Sequence, residues 1–323
     1  MENPLVAVTV TTYNSSPYIL ETLDSIKQQT YSPLELVISD DCSTDNTIDI
    51  VNKWIADNAN VGRFKRVEFV TVPKNTGVSA NCNRCINAAK SDWVKLISGD
   101  DILLPHCIEE NMKFIDNNPG AKIIFSQVKL YNNLFSGANY IKTTPEVYPD
   151  NLMGPGFSTN DQFQKLLVSD RIHYTPSYFF NKQAILKVGG YDESCLFVED
   201  YPMWLMLTKS GERLHYFHKP TVGYRVHSNA LNNVGDNVLF KPSLIKGFSV
   251  RRKYAHPYLP WEIVFSEWFV LGVARLFILL NINRGTSFFK SLFKTLTVFF
   301  NPFHYIYAIK KRLPVNKGKF YYQ

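Results

Sequence analysis

Residues 96–105 read LISGDDILLP. An apolar run reaches Ser98 and Gly99, delivers two adjacent aspartates, Asp100 and Asp101, and resumes as a second apolar run closed by Pro105. A buried strand does not ordinarily finish on two carboxylates. Neighbouring like charges raise each other's pKa unless something of opposite sign neutralises them. The stretch therefore reads as a core strand that hands acidic groups to an edge where something is held.

Strands and helices alternate on either side of this stretch. LVAVTVTTY (5–13), LELVISDD (34–41), VEFVTVP (67–73), DWVKLIS (92–98) and AKIIFSQVKLY (121–131) are β-branched and apolar. Between them come a helix opened by Ser15, Ser16 and Pro17 and running to about Gln29, and one over 43–58 capped by Ser43 or Thr44, with Ile48, Val51, Trp54 and Ile55 on one face. Two more follow, over 77–90 and over 105–118. The expected fold is α/β: a mixed, mainly parallel central sheet with helices on both faces and right-handed crossovers. Residues 132–170 read as loop, and 171–235 as short apolar pieces. From about Lys241 the chain reads as a helical, apolar tail. The expected organisation is a domain over 1–240 and a helical region over 241–323.

In such sheets ligands bind beyond the carboxyl ends of the strands. Those ends are Tyr13-Asn14, Asp40-Asp41 and Asp100-Asp101. One acidic strand end reads equally well as a helix cap. Acid pairs at two neighbouring ends favour a hard divalent cation, Mg²⁺ or Mn²⁺, bridging carboxylates to substrate phosphates. The common phosphate cradles are missing: no G-x-x-x-x-G-K-[ST], no G-x-G-x-x-G, and no H-E-x-x-H for zinc. A diphosphate bound mainly through a metal is what remains.

Composition narrows the classes. The chain has 323 residues, 45% hydrophobic and 20% charged, with a net charge of +7. The positive charge sits in the tail: from Trp268 onward there are nine Lys/Arg and no Asp/Glu, whereas residues 1–267 carry 26 basic and 28 acidic groups. A nucleic-acid partner loses its main support. The five cysteines, an odd number, suit reduced thiols in a cytosol. Cys82 and Cys85 form a C-x-x-C inside a helical pattern without a second pair, and read as small residues on a helix rather than a redox or metal site. The N-terminus shows no secretory leader.

The ordered pieces VTVTTYN (8–14), LELVISDDCSTDNT (34–47), NTGVSANCNRCINAA (75–89), LISGDD (96–101), VGGYDES (188–194), FVEDYPMWLML (197–207) and YRVHSNALN (224–232) resemble the family 2 glycosyltransferases. The resemblance covers residues 5–232 and implies a GT-A (Rossmann-like) fold and an inverting mechanism. It also implies a nucleotide-diphospho-sugar donor, UDP-sugar foremost, and Mn²⁺ or Mg²⁺. By that resemblance Thr11 and Tyr13 line the nucleobase pocket and Asp41 accepts a hydrogen bond from the base. Asp100 serves the ribose and metal region, and Asp101 ligates the metal. Asp200 is the base and Glu199 orients it or meets the acceptor, and His227 is a third metal ligand or a diphosphate contact. Three positions depart from the family pattern: Ser98, where many members carry a further aspartate, Cys82 in place of Arg or Lys, and Cys85 in place of Gly.

Read from the residues alone, Glu199-Asp200 also serves as a cap for a helix beginning at Tyr201-Pro202, and His227 as an ordinary core or surface histidine. Arg225 balances phosphate charge or is a surface group on a strand. Trp204 is an acceptor platform or core. Residues 261–282 are apolar but interrupted by Glu262, Glu267 and Arg275, which argues against a membrane span. Residues 288–312 mix aromatics with lysines, a composition for helices lying on an anionic leaflet or for helices packed on the catalytic domain. The expected setting is cytoplasmic, on the inner-membrane face, with a glycan or undecaprenyl-diphosphate-linked acceptor in cell-surface polysaccharide or O-antigen assembly. Two rivals stand beside it. A nucleotidyltransferase would want a Gly-rich basic loop after the first strand, which TTYNSSPY lacks. The other is a non-catalytic glycan- or lipid-carrier-binding protein on a decayed transferase fold.

Overall fold

The run VAVTVTT has a β-branched side chain at nearly every position, and it forms β1 (Val6–Thr12) with every residue buried. A strand buried on both faces belongs inside a sheet. β1 lies between β2 (Leu34–Asp40) and β4 (Trp93–Ser98), parallel to both, and β2 pairs parallel with β3 (Arg66–Thr71). The structure is a computed structural model describing residues 3–148, 152–168, 172, 174–195, 199–227, 238–240 and 242–316. The chain divides into two compact units, Met1–Gln162 with Arg171–Val226, and Phe163–Asp170 with His227–Gln323.

The first unit contains a mixed sheet in the order β3-β2-β1-β4-β8-β6-β9-β5, with β7 paired to β6. The remaining strands are β5 (Ile102–Leu103), β6 (Ile123–Asn132), β7 (Tyr140–Thr144), β8 (Phe179–Asn181) and β9 (Leu214–Val226). The β1–β4 half is parallel, as the alternation predicts. Beyond it β8 runs antiparallel to β4 and β6, β7 antiparallel to β6, and β5 antiparallel to β9, while β6 and β9 are parallel. The segment read as loop thus contains β7 and the helix α6 (Thr159–Val168).

The helices of this unit are α1 (Ile19–Lys27), α2 (Thr47–Ala56), α3 (Asn58–Val61), α4 (Val78–Ala88), α5 (Cys107–Asn117), α7 (Lys182–Lys187) and α8 (Asp200–Lys209). α4 lies against β1 and β2, and α5 against β9. Two helix starts differ from the sequence reading. Ser15 accepts the Tyr18 and Ile19 amides through its carbonyl, forming a turn, and α1 begins only at Ile19. Ser43 spends its amide and hydroxyl on Asp40, Thr44 bonds Asn14, and α2 starts after Asn46. The serines and threonines lace two strand-end loops together instead of capping helices.

The second unit is helical: α9 (Pro242–Tyr254), α10 (Trp261–Leu279), α11 (Ser287–Phe299) and α12 (Pro302–Arg312). Phe240, Ala274 and Phe277 form its core, with Phe289 and Phe293 packed against them. The acids that interrupt the apolar run in sequence are paired here. Glu262 is fully buried and bonds Lys310 at 2.9 Å, and Glu267 takes Arg251 and His256. Among the described residues no helix is long and apolar enough to cross a membrane.

Candidate active site at the carboxyl edge of the sheet

Register fixes which side chains meet. Thr11 on β1 stands between Ser39 on β2 and Ser98 on β4, and Thr12 opposite Asp40. Past the strands the backbone stays tied: the Gly99 amide donates to the Thr11 carbonyl at 2.9 Å, and the Asp41 amide to the Thr12 carbonyl at 3.0 Å. Asn14 and Cys42 then turn with φ of 51° and 68°, the left-handed region. Thr11 is buried and Tyr13 is 47% exposed, a ring open to solvent beside the acidic edge. At Gly99 an added Cβ would sit 2.8 Å from Thr12 Oγ1 and 3.1 Å from Ile19 Cδ1, so a larger residue would force those side chains to shift. Thr12 Oγ1 is buried and has no hydrogen-bond partner.

The two acid pairs are treated differently. Asp41 accepts from the Thr76 hydroxyl at 2.6 Å, the Gly77 amide at 2.7 Å, the Thr76 amide and Arg84 Nη2 at 2.6 Å. Burial pushes its pKa up, but the Thr76 and Arg84 bonds and the two amides outweigh it and hold the carboxyl below its ordinary range. Asp40 accepts from the Ser43 amide and hydroxyl. No cation is needed to explain this pair, contrary to what repulsion alone suggested. The proposed bond from Asp41 to a nucleobase would have to share a carboxylate already holding four protein donors.

Asp101 in the second pair is placed differently. Asp101 is buried, and its Oδ1 accepts the Arg225 amide at 2.9 Å. Burial, then the charge of Asp100, drives its carboxyl well above the usual range; the Arg225 amide and the charges of Lys95 and Arg225 oppose the rise. Asp100 is half-buried, so it is the more accessible carboxylate of the two. Lys95, read in sequence only as part of a strand, is fully buried and donates to the carbonyls of Leu96, Pro176 and Tyr178, and burial lowers its pKa to about 8.

Glu199 and Asp200 open α8. Glu199 is the N-cap residue but its side chain makes no capping hydrogen bond, so the capping alternative has no such bond at that residue. Burial raises its pKa. Residues 201–205 are buried, and Trp204 is core: it meets Phe125 at 5.0 Å and Tyr178 at 5.3 Å edge-on, with no exposed surface for an acceptor. α4 joins this region to the acidic edge. Its Arg84 bonds Asp41 and its Asn81 bonds the Thr12 carbonyl. Its Asn83 holds the Tyr191 backbone of the VGGYDES loop, and its Ser79 the Cys195 carbonyl just after it. Burial pushes the Cys82 thiol well up, and the nearby Glu199, Cys85 and Asp200 charges push it further. Cys82 and Cys85 are buried free thiols, as are Cys107 and Cys195; Cys42 is free and half-buried.

Thr11, Tyr13, Asp41, Asp100 and Asp101 thus share one edge, and Glu199 and Asp200 reach the same helix that braces it. His227 follows the last residue of β9, belongs to the second unit and is half-buried. Residues 197–198 of FVEDYPMW and 228–232 of YRVHSNALN lie outside the described residues. Sequence reasoning missed Arg84 and Lys95. A lone arginine or lysine at an inward position of a buried helix or strand is the signal that could have found them. Arg225, read as balancing phosphate charge or as a surface group, is 1% exposed.

The profile described as Glycosyl transferase family 2 matches residues 7–182 of this chain. The chain belongs to glycosyl transferase family 2. A relative named an uncharacterized glycosyltransferase of Methanocaldococcus jannaschii is 24% identical over 271 residues, covering 82% of this chain and 87% of the relative. The chondroitin synthase of Pasteurella multocida is 26% identical over 215 residues, 66% of this chain but only 20% of that enzyme. Among solved structures, S. aureus TarS 1–349 in complex with UDP-GlcNAc aligns with a TM-score of 0.53 at 16% identity, covering 98% of this chain and 78% of that one. The mannosyltransferase PcManGT from Pyrobaculum calidifontis, in complex with GDP-Man and Mn²⁺, aligns at 0.51 and 17%, covering 98% and 77%. The fold is that of the GT-A glycosyltransferases, and this family 2 chain is a glycosyltransferase.

Proposed function

We propose that this family 2 enzyme is an inverting transferase that moves a sugar from a nucleotide-diphospho-sugar, UDP-linked foremost, to a glycan carried on a lipid diphosphate. The observation that carries the reading is the Asp100–Asp101 pair. It is an acidic pair whose inner member is driven well up in pKa by burial and by its neighbour, at an edge where the other acid pair is satisfied by protein donors. A divalent cation fits there. Among the described residues no three His, Cys, Asp or Glu side chains gather as donors, but Mg²⁺ and Mn²⁺ commonly take one or two carboxylates and complete their shell with phosphates and water. Asp100 and Asp101 would hold the ion, and phosphate and water oxygens would complete its shell. When bound, it neutralises charge on the leaving diphosphate.

The chain's own groups do the rest. Tyr13 would face the nucleobase and Thr11 the strand end beneath it. Asp41, through Thr76, Gly77 and Arg84, keeps that edge in shape. Asp200 would take the acceptor proton, and Glu199 would place the acceptor or Asp200 itself. The named relatives that bind UDP-GlcNAc or GDP-Man with Mn²⁺, and the one that makes chondroitin, support donor class, metal and polysaccharide product by likeness.

The second unit supports a site at an anionic cytoplasmic leaflet. Trp261, Phe265, Trp268, Leu276 and Leu279 are exposed along one face of α10, Leu279 at 81%, and Phe288, Phe299 and Phe300 stand out beside lysines with no acid in the sequence after Glu267.

The test is thermal unfolding with UDP and GDP, each with and without Mn²⁺, followed by a donor panel with a lipid-diphosphate acceptor mimic read by mass spectrometry. A metal-dependent rise in Tm and a transferred sugar are expected; no response to any nucleotide diphosphate would overturn the reading. Asp200→Asn should keep that rise and lose turnover by about 10²–10⁴-fold. Sedimentation with vesicles containing anionic lipid should carry the protein down, and equal recovery with neutral vesicles would refute the leaflet assignment.

A further inference from the structure

Arg225 is the least expected side chain near the acidic edge. It is 1% exposed, so it does not reach out toward a ligand as a phosphate-binding arginine would. Its fork points inward. Nε donates to the Asp100 carbonyl at 2.8 Å, Nη1 to the Asn133 carbonyl, and Nη2 pairs with Glu21 on α1. Its plane is covered by two rings, Phe135 at 4.1 Å and Tyr18 at 4.5 Å from the guanidinium carbon. Its own amide donates to Asp101 Oδ1 at 2.9 Å. One residue therefore holds the backbone of Asp100 and the carboxylate of Asp101, and fastens both to the start of α1 and to the β6–β7 turn.

The corner leaves little room to drift. At Gly223, on the same strand, an added Cβ would come within 2.8 Å of Ile102 Cγ1 and 3.2 Å of Phe135 Cε1. β9 is pressed against the residue following Asp101 and against the ring that stacks on Arg225.

We propose that Arg225 is a positioning residue for the donor site. By fixing the Asp100 carbonyl and the Asp101 carboxylate together, it sets how the two acids present themselves to a divalent cation and its nucleotide diphosphate. The role rests on the functional reading above. It demands a planar fork, because the two ends of the guanidinium serve different segments at once. A lysine ammonium is a point donor and cannot span them.

The test reads metal rather than turnover. The Mn²⁺ concentration giving half the UDP-dependent rise in Tm is measured for the wild type, Arg225→Lys and Glu21→Gln, with bound Mn²⁺ followed independently by electron paramagnetic resonance. Arg225→Lys is expected to need about tenfold more Mn²⁺, the scale seen when residues orienting a metal ligand are changed. Glu21→Gln, which keeps a hydrogen-bonding oxygen at a half-exposed position, is expected to shift in the same direction and less. A folded Arg225→Lys protein with lowered ligand-free Tm but an unchanged Mn²⁺ midpoint would show a purely structural arginine and overturn the proposal. Should Arg225→Lys fail to fold, Glu21→Gln decides alone: a raised midpoint supports the role and an unchanged one overturns it. A wild type unresponsive to UDP and GDP at every Mn²⁺ concentration would instead overturn the functional reading, and this role with it.

Discussion

The molecule has two acid pairs at neighbouring strand ends, alike in sequence and unlike in treatment. Asp40 and Asp41 are supplied with hydroxyls, amides and the Arg84 guanidinium, and Asp41 stays below the ordinary carboxylate range. At the other end Asp101 receives the Arg225 amide and is pushed well above it. A carboxylate whose lone pairs are filled by the chain stabilises the chain. One buried beside another negative charge costs stability, which a bound cation would restore under the function proposed above.

The sharpest way to break the comparison is to substitute both pairs. Asp41→Asn should destabilise the ligand-free protein by about 3 kcal/mol, because the new amide meets two backbone N–H groups and Arg84 loses the charge of its carboxylate partner. Denaturant unfolding measures it, and a change within error would erase the distinction. Gly99→Ala should come next, at about 1–3 kcal/mol, from crowding against Thr12 and Ile19. The Asp101→Asn change should go the other way. It keeps an oxygen for the Arg225 amide and removes the disfavoured charge, so the ligand-free Tm at neutral pH should stay level or rise, while the Mn²⁺-dependent UDP shift is lost. A fall in Tm like that of Asp41→Asn would show that the pairs are equivalent.

The smallest effect is in pH. The folded pKa of Asp41 is depressed, so its contribution is complete above the unfolded value of 3.8 and is lost as pH falls through the folded value. Between neutral pH and pH 3 the wild type should therefore lose more stability than Asp41→Asn, and equal losses would contradict the sign.

The same contrast shows what the sequence could tell. Asp41, Asp100 and Asp101 were legible because strand and helix alternate from residue 5 to 131 and place strand ends by local periodicity. Their partners were not. Arg84 lies in a C-x-x-C that drew attention to its sulfurs, and Arg225 sits where strand alternation allows a surface group. The antiparallel half of the sheet was hidden for a different reason. β5 and β8 are two and three residues long, too short for any period. β9 has thirteen residues but carries Lys219-Pro220 in its middle, where its register with β6 shifts between Gln127 and Val128. Pairings so distant in sequence leave no local signature. The caps failed because Ser15, Ser43 and Thr44 found partners in a neighbouring loop.

α4 has a consequence for how this enzyme can change. Arg84 and Asn81 brace the β1–β2 end, while Ser79, Cys82 and Asn83 look toward the loop and acids before α8. The acidic strand-end edge and the segment around Glu199 and Asp200 are thus braced by one helix. Enlarging the buried Cys85 or Ala80 would shift this helix and disturb both regions at once, so change is more readily absorbed in the surrounding loops than along it.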